Sequence, residues 1–258
     1  MFLQTNLAVT RAKTYENKCF NFKYKIYSRN DYIAGELNLY VLDDDGETLT
    51  KTEKFNNFTV IGKQGIVVIN QRGSFYNCTC NFRGFDAKDC MLIIDVCSYP
   101  IANLNIMFSD PNSTVYIGKQ FSCSGARLYL YNNSNIIIGN DNMWSSEIVI
   151  RTGDGHSILN SSGDILNNPE SVFIDDHTWI CENVKILKGV RINENTIIGA
   201  NSTVTKLQTN CKNCIIAGSP AKIIKKKINW HRQRPYSLSR IKTSKSFENF
   251  INESFRNE

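Results

Sequence analysis

The sequence predicts an all-β fold, a solenoid of short strands joined by tight corners, and three observations carry that reading. From Val172 to Val204, "VFIDDHTWICENVKILKGVRINENTIIGANSTV", the apolar residues Ile174, Ile180, Ile186, Ile192, Ile198 and Val204 fall six apart. Four residues after each of the first five stands a small or β-branched residue: Thr178, Val184, Val190, Thr196 and Ser202. The chain is also rich in asparagine, which costs little at a tight corner and more in a helix or flat strand.

A fixed period is the mark of a repeat architecture. A helix would space its apolar residues three and four apart, and a two-sided strand would use every second position. Six fits neither. It suits short strands wound so that one residue per side points inward, with β-branched residues in the strands and Asn193, Gly199 and Asn201 at corners. After a miss at Asn210, Ile216 returns to phase. The same corner recurs upstream in "VYIGKQF" (115–121), "IIIGNDNMW" (136–144) and "TVIGKQG" (59–65). Between 66 and 114 the period blurs into irregular coils, with "MLIID" and "LNIMF" as rungs.

A solenoid needs covered ends. Residues 18 to 42 alternate through Phe20, Phe22, Tyr24 and Ile26, then Leu37, Leu39 and Val41, and "DDDGET" reads as a turn. Residues 1–55 are therefore expected to form a β-rich N-terminal cap or small module, and 56–218 the solenoid, with a loop at 157–171. Residues 219–258 are expected to give a short C-terminal helix and a basic tail. In that helix, "SPAKIIKKKI" begins after Pro220 and turns Ile223, Ile224 and Ile228 onto the last coil.

Composition narrows the function classes. The net charge of +6 is modest, and the nine cysteines are scattered and odd in number. "MFLQTNLAVTRAK" lacks the basic leader and apolar core of a signal peptide, so reduced thiols in a cytoplasmic protein are expected. On that reading, N-x-S/T matches such as those at Asn112 and Asn201 are chance. No apolar run reaches the roughly 20 residues of a membrane span.

The repeat resembles that of the hexapeptide-repeat acyltransferases, most closely O-acetyltransferases of bacterial surface glycans, including those modifying sialic acid in capsule or lipooligosaccharide. The resemblance covers residues 136 to 230 best. It implies a left-handed parallel β-helix with three six-residue sides per coil of about 18 residues. Residues 18 apart would then stack on successive rungs, about 4.8 Å apart. Cys181, Gly199 and Ala217 form one such column, and Glu182, Ala200 and Gly218 the next. Small residues there expose backbone N–H and C=O groups to a thin ligand such as the pantetheine arm of coenzyme A. Lys188 would stack on Lys206, with Lys222 and further lysines beyond the corner, and phosphates need cations nearby.

Position by position, "WIC" with Trp179 resembles the family's corner beside the acetyl group. "IGANSTVTK" places Ala200, Thr205 and Lys206 along coenzyme A. "AGSPAKII" places Gly218 at the pantetheine, with Lys222 and Lys225 as phosphate contacts. Two residues depart from the pattern: Cys181 replaces a glycine, and Glu182 sets an acid beside a polyanionic ligand. "GDGHSI" resembles the segment of the catalytic histidine, here His156, with Asp154 as an orienting candidate. A neutral imidazole can take a proton from an acceptor hydroxyl as it attacks the acetyl thioester. The Trp179 indole N–H could assist backbone donors at the oxyanion. Of the other two histidines, His177 in "DDHTW" reads as solvent-facing and His231 belongs to the basic tail. Cys181 reads as a small corner residue, and "CKNC" (211–214) has half the spacing of a zinc site without a second half. No metal is expected.

The loop after His156 would wall the site and exclude water. The family implies a homotrimer with active sites between subunits, acetyl-CoA as co-substrate and an anionic, sialic-acid-containing glycan as acceptor. The tail from Lys222 to Lys245 carries nine Lys or Arg and no acid. It could attract an anionic glycan or the inner membrane as a peripheral surface; no nucleic-acid motif accompanies it. Three other readings stay open at this point. One is N-acetylation of an amino sugar or sugar nucleotide, and another is a non-catalytic glycan-binding module. The third, a zinc carbonic anhydrase, would require all three histidines.

Overall fold

Each six-residue repeat has two inward positions and one corner. The computed structural model describes residues 36–46, 48–82, 87–206, 211–235 and 237. Ile174, Ile180, Ile186, Ile192, Ile198, Val204 and Ile216 are all buried in one continuous core. Thr178, Val184, Val190, Thr196 and Ser202 are buried as well. Their hydroxyls do not go unpaired. Thr178 Oγ1 donates to Asp175 O (3.2 Å), Thr196 Oγ1 to Asn193 O (2.8 Å) and Ser202 Oγ to Gly199 O (2.6 Å), each across its own corner. The corner residue itself is left-handed: His177, Asn183, Gly189, Asn195 and Asn201 follow at six-residue intervals with φ between 52° and 73°, and Asn213 has φ 53°. Asparagine and glycine take that conformation at least cost.

Among the described residues twenty-three strands result, in three sheets of eight, eight and seven. The chain opens with β1 (Leu37–Leu42), β2 (Leu49–Thr52) and β3 (Phe58–Ile61). From there to β21 it visits the first, second and third sheets in strict rotation. The first turn is β4 (Gly65–Asn70), β5 (Phe75–Tyr76) and β6 (Cys78–Phe82), and the second β7 (Met91–Ile94), β8 (Ile101–Ala102) and β9 (Leu104–Phe108). Next come β10 (Thr114–Ile117), β11 (Ser122–Cys123) and β12 (Ala126–Leu130), then β13 (Asn135–Ile138), β14 (Met143–Trp144) and β15 (Ile148–Arg151). The last two complete turns are β16 (Val172–Ile174), β17 (Trp179–Ile180) and β18 (Lys185–Ile186), and β19 (Arg191–Ile192), β20 (Thr196–Ile198) and β21 (Thr203–Val204). β22 (Cys214–Gly218) adds a rung to the second sheet beside β20, and β23 (Ala221–Lys226) pairs at its edge. Within this rotation all pairs up to β22 are parallel, and the fold is a left-handed parallel β-helix.

The turn shortens along the chain. Paired residues lie 28 apart at Leu42 and Asn70, 26 at Tyr76 and Ala102, 21 at Val115 and Ile136, and 18 at Ile180 and Ile198. The wider coils enclose aromatic rings, with Phe82 stacked on Phe108 at 4.9 Å and Phe121 edge-on to Trp144 at 4.9 Å. The narrow ones are filled by isoleucine and valine. This explains the blurred period before residue 114: the corners there carry extra residues while the rungs persist, "MLIID" in β7 and "LNIMF" in β9. Ile138 and Ile174, 36 apart, bracket the long loop.

Two expectations about the ends of the solenoid need correction. The C-terminal helix is the strand β23, which pairs antiparallel with β22 through Gly218, Ser219, Pro220 and Ala221, with a cis bond before the proline. Ile223 and Ile224 are exposed on it, 40% and 66%, and do not cap the core. The backbone of β22 offers a free edge at the end of the stack, and pairing with it satisfies donors and acceptors that a helix laid there would leave open. At the other end, β1 pairs parallel with β4 over six positions. Leu37, Leu39 and Val41 therefore pack on the solenoid core as its first rung rather than in a separate cap. The predicted turn closes between Asp43 and Thr48 (Asp43 N to Thr48 O, 3.0 Å). Phe20, Phe22, Tyr24 and Ile26 lie outside the described residues, as do Asn210 and the tail beyond 237. The eight described cysteines are all free thiols.

His177 is also not solvent-facing. Its Nδ1 lies 2.7 Å from Asp141 Oδ2 and its Nε2 3.1 Å from Trp230 O, with the ring stacked at 4.0 Å on the buried Trp230. Two residues on, Arg232 donates to Asp141 Oδ1 (2.7 Å), Ser122 Oγ (2.7 Å), Gln120 O (2.8 Å) and Asn142 O (2.9 Å), and lies over the Tyr99 ring. The segment after β23 is thus a strap pinned back across several turns. Partial burial would raise the Asp141 carboxyl, but the hydrogen bonds and charges of His177 and Arg232 outweigh it and hold the group below the usual carboxylate range.

Asp175, at the neighbouring corner, behaves oppositely. Burial pushes its carboxyl up to about 7; the Asp176 N–H pulls it down, and the charges of Asp176 and Glu194 push it up further. In the unfolded chain the group titrates near about 3.9. Its favourable contribution is therefore complete below about pH 4 and is lost as pH rises through 7. Asp175→Asn should raise the melting temperature by roughly 2–5 °C at pH 8 and leave it unchanged below pH 4, as followed by circular dichroism across that range.

Candidate active site

The segment after β15 is shaped by one aromatic ring. Thr152 is fully buried; its Oγ1 accepts from Tyr131 N (3.0 Å) and from Ser134 Oγ (2.6 Å). A Cβ on Gly153 would stand 2.9 Å from the Tyr131 ring, and one on Gly155, whose φ is +84°, 3.4 Å from the Tyr131 hydroxyl. "GDG" is thus the sequence that lets the backbone lie flat on Tyr131 and turn outward. His156 follows, exposed, on the wall of a cleft of about 270 Å³ lined also by Asp110, Tyr131, Ile165, Asn167 and Pro169.

The loop from 157 to 171 is a small hairpin. Leu166 N donates to Ile158 O (2.8 Å), Leu159 bridges Ile165, and Asn160 Oδ1 accepts from Ser162 N and Asp164 N at 2.9 Å each. Its base closes through Glu170 N to Thr152 O (2.8 Å). Ile158, Leu159, Ile165 and Leu166 are 51–62% exposed, an apolar patch projecting beside the cleft.

Asp154 does not hold the His156 ring. Its Oδ2 accepts from Lys188 Nζ and from Asn167 Nδ2 (2.9 Å), and the Lys188 hydrogen bond first, Asn167 second, holds the carboxyl below its ordinary range. Among the described residues no hydrogen bond to the His156 ring is formed. Lys206 reaches Glu170 Oε2 at 2.5 Å, so it and Lys188 are each paired with an acid at the loop's base.

The remaining expected residues gather elsewhere. Trp179 opens β17 in the second sheet, its ring 6.0 Å from Trp230. The 18-residue columns hold: Ile180, Ile198 and Ile216 are in register, so Cys181, Gly199 and Ala217 stack, as do Glu182, Ala200 and Gly218. A Cβ on Gly199 would meet that of Ala217 at 2.8 Å, and Gly218 has φ +106°. The corner is tight and its backbone is open. Lys222 and Lys225 lie on β23 opposite Ala217 and Ile215. Burial pushes the Cys181 thiol up, which suits a packing residue better than a nucleophile. Thus His156, Asp154, Lys206 and the adjacent Thr205 sit at the corner between the third and first sheets. Trp179, Ala200, Gly218, Lys222 and Lys225 lie along the second sheet and its far corner. None of the latter lines the His156 cleft. Asn167 and Tyr131, which contact the His156 segment directly, carry no motif that sequence reasoning could have used.

The bacterial transferase hexapeptide (six repeats) profile matches residues 171–206. A polysialic acid O-acetyltransferase of Escherichia coli O1:K1 / APEC is 35% identical over 121 residues, 46% of this chain and 39% of that protein. A galactoside O-acetyltransferase of Lactococcus lactis subsp. lactis (strain IL1403) is 34% identical over 105 residues, 40% of this chain and 48% of that one. The chain therefore spans less than half the length of these two curated relatives. The crystal structure of the polySia specific acetyltransferase NeuO superposes with a TM-score of 0.51 at 24% identity, covering 83% of this chain and 98% of that one, a likeness of fold. The chain is thus similar to hexapeptide-repeat transferases in its repeat, over residues 171–206, and to the acetyltransferase NeuO in its fold.

The tightest test of the local geometry is Gly153→Ala. The added methyl has no room against Tyr131, so the variant should lose about 1–3 kcal/mol of stability by thermal unfolding. Combining it with Tyr131→Ala should remove most of that added penalty.

Proposed function

We propose that the protein is an acetyl-CoA-dependent O-acetyltransferase that acylates a hydroxyl of a sialic-acid-containing cell-surface glycan. The observation that carries this reading is an exposed histidine on a cleft, split within one chain from an open-backbone, small-residue corner bordered by lysines. The relatives' names, one acting on polysialic acid and one on galactosides, support an acceptor hydroxyl on a sugar.

In this mechanism the His156 imidazole takes the proton of the acceptor hydroxyl while its oxygen attacks the thioester carbonyl. The C–S bond then breaks, and the imidazolium returns the proton to the departing thiolate. Backbone N–H groups, aided by the Trp179 indole, hold the oxyanion. The Gly199–Ala217 and Ala200–Gly218 corner accepts the pantetheine arm, with Lys222, Lys225 and, at the neighbouring corner, Thr205 and Lys206 toward the nucleotide end. Lys206 must exchange Glu170 for phosphate to do so. The two halves meet when prisms assemble side by side as a homotrimer, the His156 corner of one facing the second-sheet corner of its neighbour. The apolar loop residues Ile158 and Leu166 would then seal the groove against water.

His156→Ala should lower turnover with acetyl-CoA and a sialylated acceptor by about 10²–10⁴-fold without changing the fold. Acetate recovered only on an amine, or unchanged turnover in the variant, would overturn the reading. A second measurement addresses the shared site. Co-expressed His156→Ala and Trp179→Ala chains, each inactive alone, should regain activity because a mixed assembly contains an intact His–Trp pair. No recovery in verified mixed assemblies would place both residues on one chain's site.

A further inference from the structure

We infer that Asn167 is a positioning residue for His156, acting through the backbone of the segment that carries it. This deepens the proposed transferase reading and rests on it. One carboxamide holds three alternate residues of that segment. Its Nδ2 donates to Asp154 Oδ2 at 2.9 Å and to His156 O at 2.8 Å, and its Oδ1 accepts from Ile158 N at 2.7 Å. The amide can sit only one way round. A carboxylate and a carbonyl can only accept, and a backbone N–H can only donate, so the chemistry of the partners fixes which end is nitrogen.

Lys188 completes the clasp. Its Nζ donates to Asp154 Oδ2 and to Asn167 O (3.0 Å), tying both ends of the arrangement to the rung below the loop. The Lys188 side chain is only 20% exposed, so this tie is partly shielded from water.

The clasp matters because nothing holds the histidine ring directly. Among the described residues its nitrogens meet no orienting acceptor, and the residue before it is Gly155, with the widest backbone freedom of any residue type. The place of the imidazole is therefore set by its backbone, and its backbone by Asn167. The hairpin beyond does not need that side chain. Its own bonds are Leu166 N to Ile158 O, the Leu159–Ile165 bridge, the Asn160 turn and Glu170 N to Thr152 O. Removing the carboxamide loosens the base and leaves the loop closed.

The test compares Asn167→Ala and the isosteric Asn167→Asp with the parent protein, using acetyl-CoA and a sialylated acceptor. Asp keeps the acceptor for Ile158 N but turns a carboxylate on Asp154 and on the His156 carbonyl. Both variants should lower kcat roughly 10–100-fold, with the KM for acetyl-CoA and for the acceptor within about twofold, since misplacement of about 1 Å can cost that much. In a His156→Ala background Asn167→Ala should cost nothing further, the signature of one residue working through another. A parental kcat in either single variant would overturn the proposal. So would a raised acceptor KM at unchanged kcat, or a full additional loss in the double variant. If His156→Ala alone keeps parental turnover, the transferase mechanism itself has failed, and that result is distinct from these.

Discussion

The structure depends on a backbone that reverses its hand at its corners, once every six residues in the narrow coils from His177 to Asn201. Each reversal turns the chain by one side of the prism, and each needs a residue that tolerates positive φ. Asparagine fills most of these places, and it adds a second service. Asn183 Nδ2 donates to Asn201 Oδ1 and Asn195 Nδ2 to Asn213 Oδ1, both at 2.8 Å, so corners on successive rungs are stapled to one another. The strands between are only two to six residues long, too short to hold register unaided. Corner ladders and the inward isoleucine column fix it together.

Where the corner residue is not asparagine, something else is usually under way. His177 occupies one such place and spends its side chain on Asp141 and Trp230, anchoring the strap. Both ring nitrogens are engaged, one beside the Asp141 carboxylate and the other beside the Trp230 carbonyl. Gly189 occupies another, beneath the loop, where a Cβ would stand 2.8 Å from the Glu170 carboxylate. The departures mark where the solenoid connects to something other than its own next rung.

Much of this was legible in the residues. The inward column from Ile174 to Ile216 and the stacking of Gly199 on Ala217 follow from period alone, because a repeated rung leaves no choice of partner. The C-terminal strand did not follow. Ile223, Ile224 and Ile228 have spacings a helix could use, and only the free edge of β22, a tertiary feature, decides for a strand. His156 stood out by its glycines, whose cause is Tyr131, 22 residues before Gly153 and 24 before Gly155 and invisible to local pattern. Asn167 was not legible at all, being one asparagine among many in a polar loop. The residues that recognise a repeat are periodic; those that complete a site come from the interruptions, where no period guides the reader.

The reversed direction of β23 has a consequence for how such molecules can grow. A stack of parallel rungs ends in a backbone edge that could template the first rung of another molecule and so lengthen into a filament. Here the last strand runs against the grain and carries Lys222, Lys225 and Lys226 along an exposed border. A second prism docking there would meet mismatched polarity and concentrated like charge. Continuation of the parallel stack is therefore disfavoured at this end.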